Sequence, residues 1–331
     1  MNRGTALALI LGLASALPFL ITLTMPSGAF FTPLVPLPLF LSGLALGSGA
    51  VVVSAATTSL VLGLPVAVAV FQATDSIGLA LLNGAQMVLA TAVMLTAPVV
   101  ILVRQALLTR TAGDGGIEWY PPGLLVTWLT GIGFVHLAVI AVMLALLDGG
   151  TSIEGTFSDL FSAWLGAALP DLPTEETAEL SRFVAYFGLG LGATGWLLML
   201  AINGVLAQGA LARYGRNLRP APNIAVLELP RWLALALAVS VVTALLATGD
   251  LAFLARGLAL VLLLPYIFAG LAVVHTAVRR YKARILLMVI FYVILVFFTW
   301  PMVFVIALGL VDQWFGFRRR LLAADAERED E

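Results

Sequence analysis

Five polar side chains lie within or beside long apolar stretches of this sequence: Asp75, Asn83, Gln86, His136 and Asn203. Polar groups are costly in hydrocarbon, so in membrane helices they face the bundle interior or a water-filled cavity. At about 100° per residue, Asp75 and Gln86 are about 20° apart on an unbroken helix, and Asn83 is within about 80° of both. These carboxylate, amide and imidazole groups predict hydrogen-bonded binding of a small molecule in a shared pocket.

Each of these residues also has a structural alternative, in which its side chain bonds to a neighbouring helix. A single histidine such as His136 can satisfy itself with one backbone carbonyl. Asp75 can be a solvated charge at the end of a helix. The sequence leaves both alternatives open.

The elements that must position these residues are membrane helices. The chain has 331 residues, of which 61% are hydrophobic and 11% are charged, whereas a soluble domain carries about 25% charged residues. At about 20 apolar residues per crossing, this length indicates eight to ten membrane helices. We therefore predict an all-α, polytopic transmembrane helical bundle of eight spans followed by a C-terminal helical hairpin. The predicted spans are 5–23, 37–47, 50–70, 77–103, 124–147, 183–206, 232–246 and 251–277, and the hairpin occupies 285–310.

Small residues occupy every fourth position at the start of the chain: Gly4, Ala8, Gly12 and Ala16. This spacing lets another helix approach closely. The stripe is a candidate interface with a partner helix, and its alternative is packing within the same protein. Arg3 followed by an apolar run also imitates a signal peptide, but the run continues at spanning length, so we expect a retained first span.

The longest segment between spans, residues 148–181, is acidic and contains no basic residue. Apolar side chains at i, i+3 and i+4 spacing in 157–168 predict an amphipathic helix, which Thr156 can cap. An acidic face is unusual for lipid binding, so we expect this helix to pack on the protein. Further along the chain, we expect Arg256 to pair with Asp250 or to extend to the membrane surface.

Basic residues near the ends of spans prefer the cytoplasm. With Arg3 inside, every loop agrees with this rule through the eighth span. Thr299-Trp300-Pro301 divides the last apolar run into two halves, which returns the C-terminus to the inside. We therefore predict a multi-pass protein of the bacterial cytoplasmic (inner) membrane with both termini in the cytoplasm. The basic residues expected to contact lipid headgroups are Arg279, Arg280, Lys282, Arg284, Arg318, Arg319 and Arg320.

Soluble-enzyme motifs are absent from the sequence, which has no phosphate loop, no H-E-x-x-H and no G-x-S-x-G. Cysteine is also absent, which removes disulfides and thiolate metal sites. We expect no enzyme activity, no cofactor, no metal and no nucleic-acid partner. The alternative, an intramembrane enzyme, would need an acid, base or metal cluster at one depth, and the sequence shows none.

Two parts of the chain resemble known families. The segment 309–320, GLVDQWFGFRRR, looks like the closing signature of the YybS-like predicted membrane proteins, a bacterial domain of unknown function. The segments 229–232 and 270–273, LPRW and GLAV, are similar to the second half of that family. This resemblance covers the whole chain and implies a polytopic membrane protein.

The opening half, with PLP at 36–38 and LALG at 44–47, resembles the substrate-binding S-components of energy-coupling-factor vitamin transporters. Those proteins have six helices, bind a vitamin from the outside and dock on a transmembrane partner through small residues of their first helix. By this resemblance, the stripe from Gly4 to Ala16 would be a docking face. The resemblance covers about the first 210 residues, and the later spans and the acidic segment depart from that plan.

Two functions follow as alternatives. The first is a small-molecule binding or transport component, whose partners are the lipid bilayer, a membrane partner subunit and a small-molecule ligand. The second is a membrane scaffold or assembly protein without a ligand. The predicted domains are a six-helix bundle over 1–210 that includes the acidic segment, additional membrane helices over 211–317, and a polar cytoplasmic tail over 318–331.

Overall fold

The computed structural model describes residues 2–113, 115–147, 152–169, 174–298 and 300–329. About 85% of the described residues are helical, which confirms the predicted all-α class. A short antiparallel hairpin of two strands pairs Thr109 with Trp119 and Thr111 with Ile117. The helices are therefore the elements that position every candidate site.

Thirteen α-helices and two strands are described along the chain. In the N-terminal part they are α1 Arg3–Thr24, α2 Pro36–Leu46, α3 Ser48–Thr74, α4 Ile77–Thr91, α5 Ala97–Ala106, β1 Thr109–Thr111 and β2 Ile117–Trp119. They continue as α6 Pro122–Leu147, α7 Ile153–Ala168, α8 Thr174–Arg213, α9 Trp232–Leu246, α10 Gly249–Val278, α11 Arg284–Phe297, α12 Pro301–Phe315 and α13 Phe317–Glu329.

Among the described residues, six helices are long and apolar enough to cross a membrane, as expected of a membrane protein. They are α1, the combined stretch Ile77–Ala106, α3, α6, α8 and α10. The helices α11 and α12 form a seventh candidate if they are one span, and they are bent from one another by 116°. The predicted count of eight spans is not confirmed, because α2 and α9 contain only 11 and 15 residues.

The acidic segment is more helical than we predicted. The helix α7 begins after Ser152, whose hydroxyl accepts a hydrogen bond from the Gly155 N–H, so Ser152 caps the helix instead of Thr156. The helix α8 begins at Thr174, well before the predicted start at 183. Glu175 and Glu176 lie in its first turn, where the positive end of the helix dipole favours acidic side chains.

The chain divides into two compact units. The N-terminal unit contains Met1–Tyr120 and Leu198–Pro222, and the C-terminal unit contains Pro121–Leu197 and Asn223–Glu331. Each unit is described separately below.

Close helix packing in the N-terminal unit depends on small residues. A Cβ added to Gly12 of α1 would lie 2.6 Å from the Ser54 carbonyl oxygen of α3. Between α3 and α4, a Cβ added to Gly63 would lie 2.8 Å from the Gly84 carbonyl oxygen. At these two positions glycine lets the backbones approach closely.

The C-terminal unit is organised around α10. In the most apolar stretch of 18 residues of this helix, 61% of the residues are buried. Tyr266 and Leu262 of α10 form a core cluster with Leu233 and Leu237 of α9. On another side α10 packs on α12, where a Cβ on Gly309 would overlap the Tyr266 carbonyl oxygen. This tight contact fixes the start of the next segment, residues 312–318.

Candidate functional site

The condition for a polar face shared by Asp75 and α4, an unbroken helix, is not met. Asp75 ends α3 in the left-handed region with φ 53°, and α4 begins after Ser76. The chain therefore turns between Asp75 and α4, and no unbroken helix connects them. Asn83 is half-buried and donates to the Leu79 carbonyl at 2.9 Å, and Gln86 is exposed one turn further along α4.

Asn203 is 2% exposed and lies in the part of α8 that belongs to the N-terminal unit. Its Nδ2 donates to the Met199 and Pro33 carbonyls, at 2.7 Å each. The second bond ties α8 to the 3-10 segment Pro26–Leu34. This is the structural alternative for Asn203, although its buried Oδ1 accepts no hydrogen bond within the part of the chain that the structure describes.

His136 is 6% exposed in α6 of the C-terminal unit. Its Nδ1 lies 2.9 Å from the Ile132 carbonyl oxygen, and its ring stacks on Trp196 with 4.0 Å between centroids. The imidazole is thus held by its own helix and by an aromatic neighbour. Because the other four candidate residues belong to the N-terminal unit, neither unit contains the predicted five-residue pocket.

The small-residue stripe of α1 packs within the N-terminal unit. Ala8 and Ala16 are fully buried, Gly12 is buried and Gly4 is half-buried. The Ser54 hydroxyl of α3 donates to the Ala8 carbonyl at 2.7 Å. The Thr58 hydroxyl of α3 donates to the Gly12 carbonyl at 2.9 Å. The structure therefore favours the intramolecular alternative for Ala8 and Gly12, because α3 already occupies this face.

Six of the seven basic residues assigned to lipid headgroups are exposed: Arg279, Arg280, Lys282, Arg284, Arg319 and Arg320. Arg318 does not fit this assignment. It is 8% exposed, and its Nε lies 2.6 Å from Oδ2 of Asp312. A guanidinium held by a buried carboxylate is not available to a headgroup. Arg280 Nη2 also donates to the Leu321 carbonyl.

A polar corner forms where α12 meets α13, and we call residues 312–318 the C-terminal corner. The helix α12 ends at Gly316, whose φ of 60° is the left-handed conformation that glycine adopts without strain. Asp312 is 4% exposed, and its Oδ1 accepts the Arg318 backbone N–H at 3.0 Å. The same carboxylate therefore neutralises the Arg318 side chain and satisfies an N–H at the start of α13.

The C-terminal corner also holds the loop before α9. Gln313 Nε2 lies 3.5 and 3.4 Å from the Leu229 and Pro230 carbonyl oxygens. Arg318 Nη1 lies 3.5 Å from the Ile224 carbonyl oxygen. The buried Gln313 Oε1 accepts no hydrogen bond from any of the described residues, so an unpaired acceptor lies beside the ion pair.

A cavity of about 240 Å³ lies between this loop, α10 and the C-terminal corner. Its polar and charged lining residues are Glu228, Arg231, Asp312, Gln313, Arg318 and Arg319. Glu228, Arg231 and Arg319 are exposed, whereas Asp312 and Arg318 are buried. The cavity can therefore hold a small polar group beside the buried ion pair and three exposed charges, and it is the strongest candidate for a polar ligand in the described part of the C-terminal unit.

In the sequence, Asp312 and Gln313 stand out only as parts of the segment 309–320 that resembles a family signature. The criterion that selected Asn83 and Asn203, a polar residue within an apolar run, also applies to these two positions. Asp312 follows a run that is apolar from Ile285 almost without interruption. That signal could have identified the site.

A second polar cluster fastens α7 to α10, and we call it the α7 clasp. Arg256 Nη2 lies 2.8 Å from Oε1 of Glu154, and the guanidinium carbon lies 3.9 Å from the centre of the Tyr186 ring. Asp250 Oδ1 accepts the Glu154 backbone N–H at 3.1 Å. The expected Arg256–Asp250 pair is therefore wrong, because Asp250 bonds the first turn of α7.

Arg219 is a buried residue that the sequence did not single out from Arg213 and Arg216. It is 4% exposed in the N-terminal unit, and its guanidinium donates to the Ala106 and Tyr120 carbonyls at 2.9 and 2.8 Å. Burial lowers the pKa of the Arg219 guanidinium from its usual value. Arg219 thus holds its loop against the end of α5 through backbone carbonyls.

No group of three or more His, Asp or Glu side chains that could hold a metal ion occurs within the described ranges. Comparisons with protein-family models, with curated proteins and with solved structures each found no match. The resemblances to the YybS-like proteins and to S-components therefore stay predictions.

Proposed function

We propose that this chain is a multi-pass protein of the bacterial cytoplasmic membrane that binds a small polar molecule in the cavity beside the C-terminal corner. The proposed topology keeps eight spans and a C-terminal hairpin, with α2 and α9 as short or tilted spans and both termini in the cytoplasm. The support for this topology is the distribution of basic residues in the loops.

The observation that carries the proposal is a buried ion pair beside a cavity. Burying a carboxylate and a guanidinium costs several kcal/mol per ion unless hydrogen bonds compensate. Asp312 receives two such bonds from Arg318, but the neighbouring Gln313 Oε1 receives none from the described residues. A bound molecule that donates a hydrogen bond to this oxygen would remove that deficit.

The lining suggests the chemical class of the ligand. Asp312 and Arg318 neutralise each other, which leaves the charges of Glu228, Arg231 and Arg319 at the cavity. Two positive charges against one negative charge favour a molecule with an anionic group. The volume of about 240 Å³ is below the roughly 300 Å³ of the smallest usual ligand pockets, so the ligand is expected to be small.

Native mass spectrometry of the protein extracted gently from its own membrane tests this function. We expect a bound small molecule on the wild-type chain and on Arg216→Gln, an exposed arginine of the N-terminal unit. The variant Arg231→Gln should lose that added mass, because Arg231 lines the cavity. A bare wild-type chain, or equal occupancy of the two variants, would contradict the proposal.

A second candidate is a membrane scaffold or assembly protein without a ligand. It is supported by the side chains of Asn83, His136 and Asn203. Each of these side chains forms a hydrogen bond with a backbone carbonyl. Docking of a partner on the α1 stripe is not part of either proposal, because α3 packs there. Recovery of a partner chain with no small molecule would favour the scaffold.

A further inference from the structure

A groove distinct from the cavity lies between the end of α10 and the first part of α11. Its volume is about 540 Å³. We call it the basic groove, and its lining residues are His275, Val278, Arg279, Arg284, Ile285, Met288, Val289, Tyr292 and Val293. The lining combines an apolar wall with two arginines.

The described residues leave the apolar wall largely exposed. None of the residues of α11 is buried, and Ile285 and Val289 are 74% and 54% exposed. A helix that is apolar all round is stable in hydrocarbon or inside a protein core. From Arg284 to Tyr292 the wall extends about 12 Å along the helix, at about 1.5 Å per residue. An acyl chain is the apolar molecule that a membrane supplies at such a surface.

The positive charges at one end of the groove are not neutralised by any acidic side chain of the described residues. Among the described residues, neither Arg279 nor Arg284 pairs with a carboxylate. The helix α11 begins at Arg284, and no side chain caps its N-terminus. Its first N–H groups, including those of Ile285 and Leu286, therefore lack intrahelical acceptors. Two guanidinium groups and an uncapped helix N-terminus are together suited to a phosphate.

The polar groups beside the apolar wall satisfy each other. Tyr292 Oη and His275 Nε2 lie 3.3 Å apart, and His275 Nδ1 lies 2.8 Å from the Leu271 carbonyl oxygen. If Nδ1 donates to that carbonyl, Nε2 accepts from the tyrosine hydroxyl. An acyl chain in the groove would therefore meet no unsatisfied polar group from these two side chains.

We infer that the basic groove binds one anionic phospholipid, with an acyl chain along α11 and its phosphate between Arg279, Arg284 and the N-terminus of α11. This site is more specific than general attraction of the 279–284 cluster to a charged membrane. It separates Arg279 and Arg284, which line the groove, from the exposed Lys282, which does not.

The test is a lipid titration of the purified full chain by native mass spectrometry, with phosphatidylglycerol and phosphatidylcholine as probes. We expect one retained phosphatidylglycerol per wild-type chain and little phosphatidylcholine. The double variant Arg279→Gln/Arg284→Gln should bind phosphatidylglycerol about thirtyfold more weakly, from about fivefold for each basic residue at a membrane surface. Lys282→Gln removes a charge from the same loop and should bind within about twofold of wild type.

A substitution in the apolar wall distinguishes a lipid-binding site from a site that binds free phosphate. Val289→Trp keeps both arginines and fills part of the groove, so it should also lose phosphatidylglycerol. Retention of the lipid by Val289→Trp, or its displacement from wild type by millimolar inorganic phosphate, would overturn the proposal. A loss of about fivefold in Lys282→Gln, the value expected for any one basic residue at a membrane surface, would overturn it too, since that result indicates only general charge attraction. Circular dichroism confirms that each variant remains helical.

Discussion

Two ion pairs of the C-terminal unit differ in how many residues separate their partners along the sequence. Asp312 and Arg318 are six residues apart, and 3% and 10% of their side chains are exposed. Glu154 and Arg256 are 102 residues apart, and 33% and 13% of their side chains are exposed. The first pair closes a turn between consecutive helices, whereas the second attaches α7 to a distant helix.

The difference lies in what each pair does when it is broken. Loss of the Asp312 carboxylate would leave the buried Arg318 charge and its backbone N–H unsatisfied. Loss of the Glu154 carboxylate would leave Arg256 on the Tyr186 ring, which still attracts a cation. Asp250 would also still hold the first turn of α7. We therefore expect the C-terminal corner to be required for the fold of its unit and the α7 clasp to control a local attachment.

The largest effect is expected for Asp312→Ala. Removing one partner of a buried pair costs about 3–5 kcal/mol, so the free energy of unfolding in detergent should fall by that amount. The double variant Asp312→Ala/Arg318→Met should recover part of this loss, since it removes the uncompensated charge. A loss below about 1 kcal/mol for the single variant would show that the pair behaves like an exposed one.

A smaller effect is expected for Glu154→Ala in the α7 clasp. Its pair is partly exposed, so we expect about 1–2 kcal/mol, between the values for surface and buried pairs. The change should appear as faster hydrogen exchange in α7, with little change in α12. Asp159→Ala is the matched control, because Asp159 is an exposed acid on the same helix. Equal exchange in both variants would mean that Glu154 does not hold α7.

An effect of about the same size is expected for Gly316→Ala at the C-terminal corner. Alanine in the left-handed conformation costs about 1–2 kcal/mol, so the free energy of unfolding should fall slightly. Gly192→Ala provides the comparison, because Gly192 lies in α8 with no atom within 4 Å of an added Cβ. Alanine there should stabilise the helix by about 1 kcal/mol. If the two variants change the free energy of unfolding equally, the conformation of Gly316 is not the reason for its presence.

The sequence predicted where the helices lie along the chain better than it predicted which segments pack against them. Hydropathy gave 232–246 for α9, which is the observed range, and 124–147 for α6, which begins at Pro122. Apolar length is a local property, so it can be found without knowing the fold. The break after 298 was also predicted, because Pro301 cannot continue a helix through its missing N–H.

The contacts of single polar residues were harder to predict. The arithmetic that joined Asp75 to Gln86 assumed a continuous helix, and Asp75 instead ends α3. Arg256 was assigned to nearby Asp250, whereas its partner is 102 residues earlier in the chain. Helical periodicity shows which residues share a face, but it does not show which distant segment covers that face.

The contact between α1 and α3 has a consequence for the synthesis of the protein. The hydroxyls of Ser54 and Thr58 donate to the carbonyls of Ala8 and Gly12, and each pair is separated by 46 residues. At about 5–20 residues per second, a ribosome needs about 2–9 s to add that many residues. During this interval α1 has not yet met the helix that covers its small residues, so any factor that protects nascent membrane helices has its opportunity to bind α1 then.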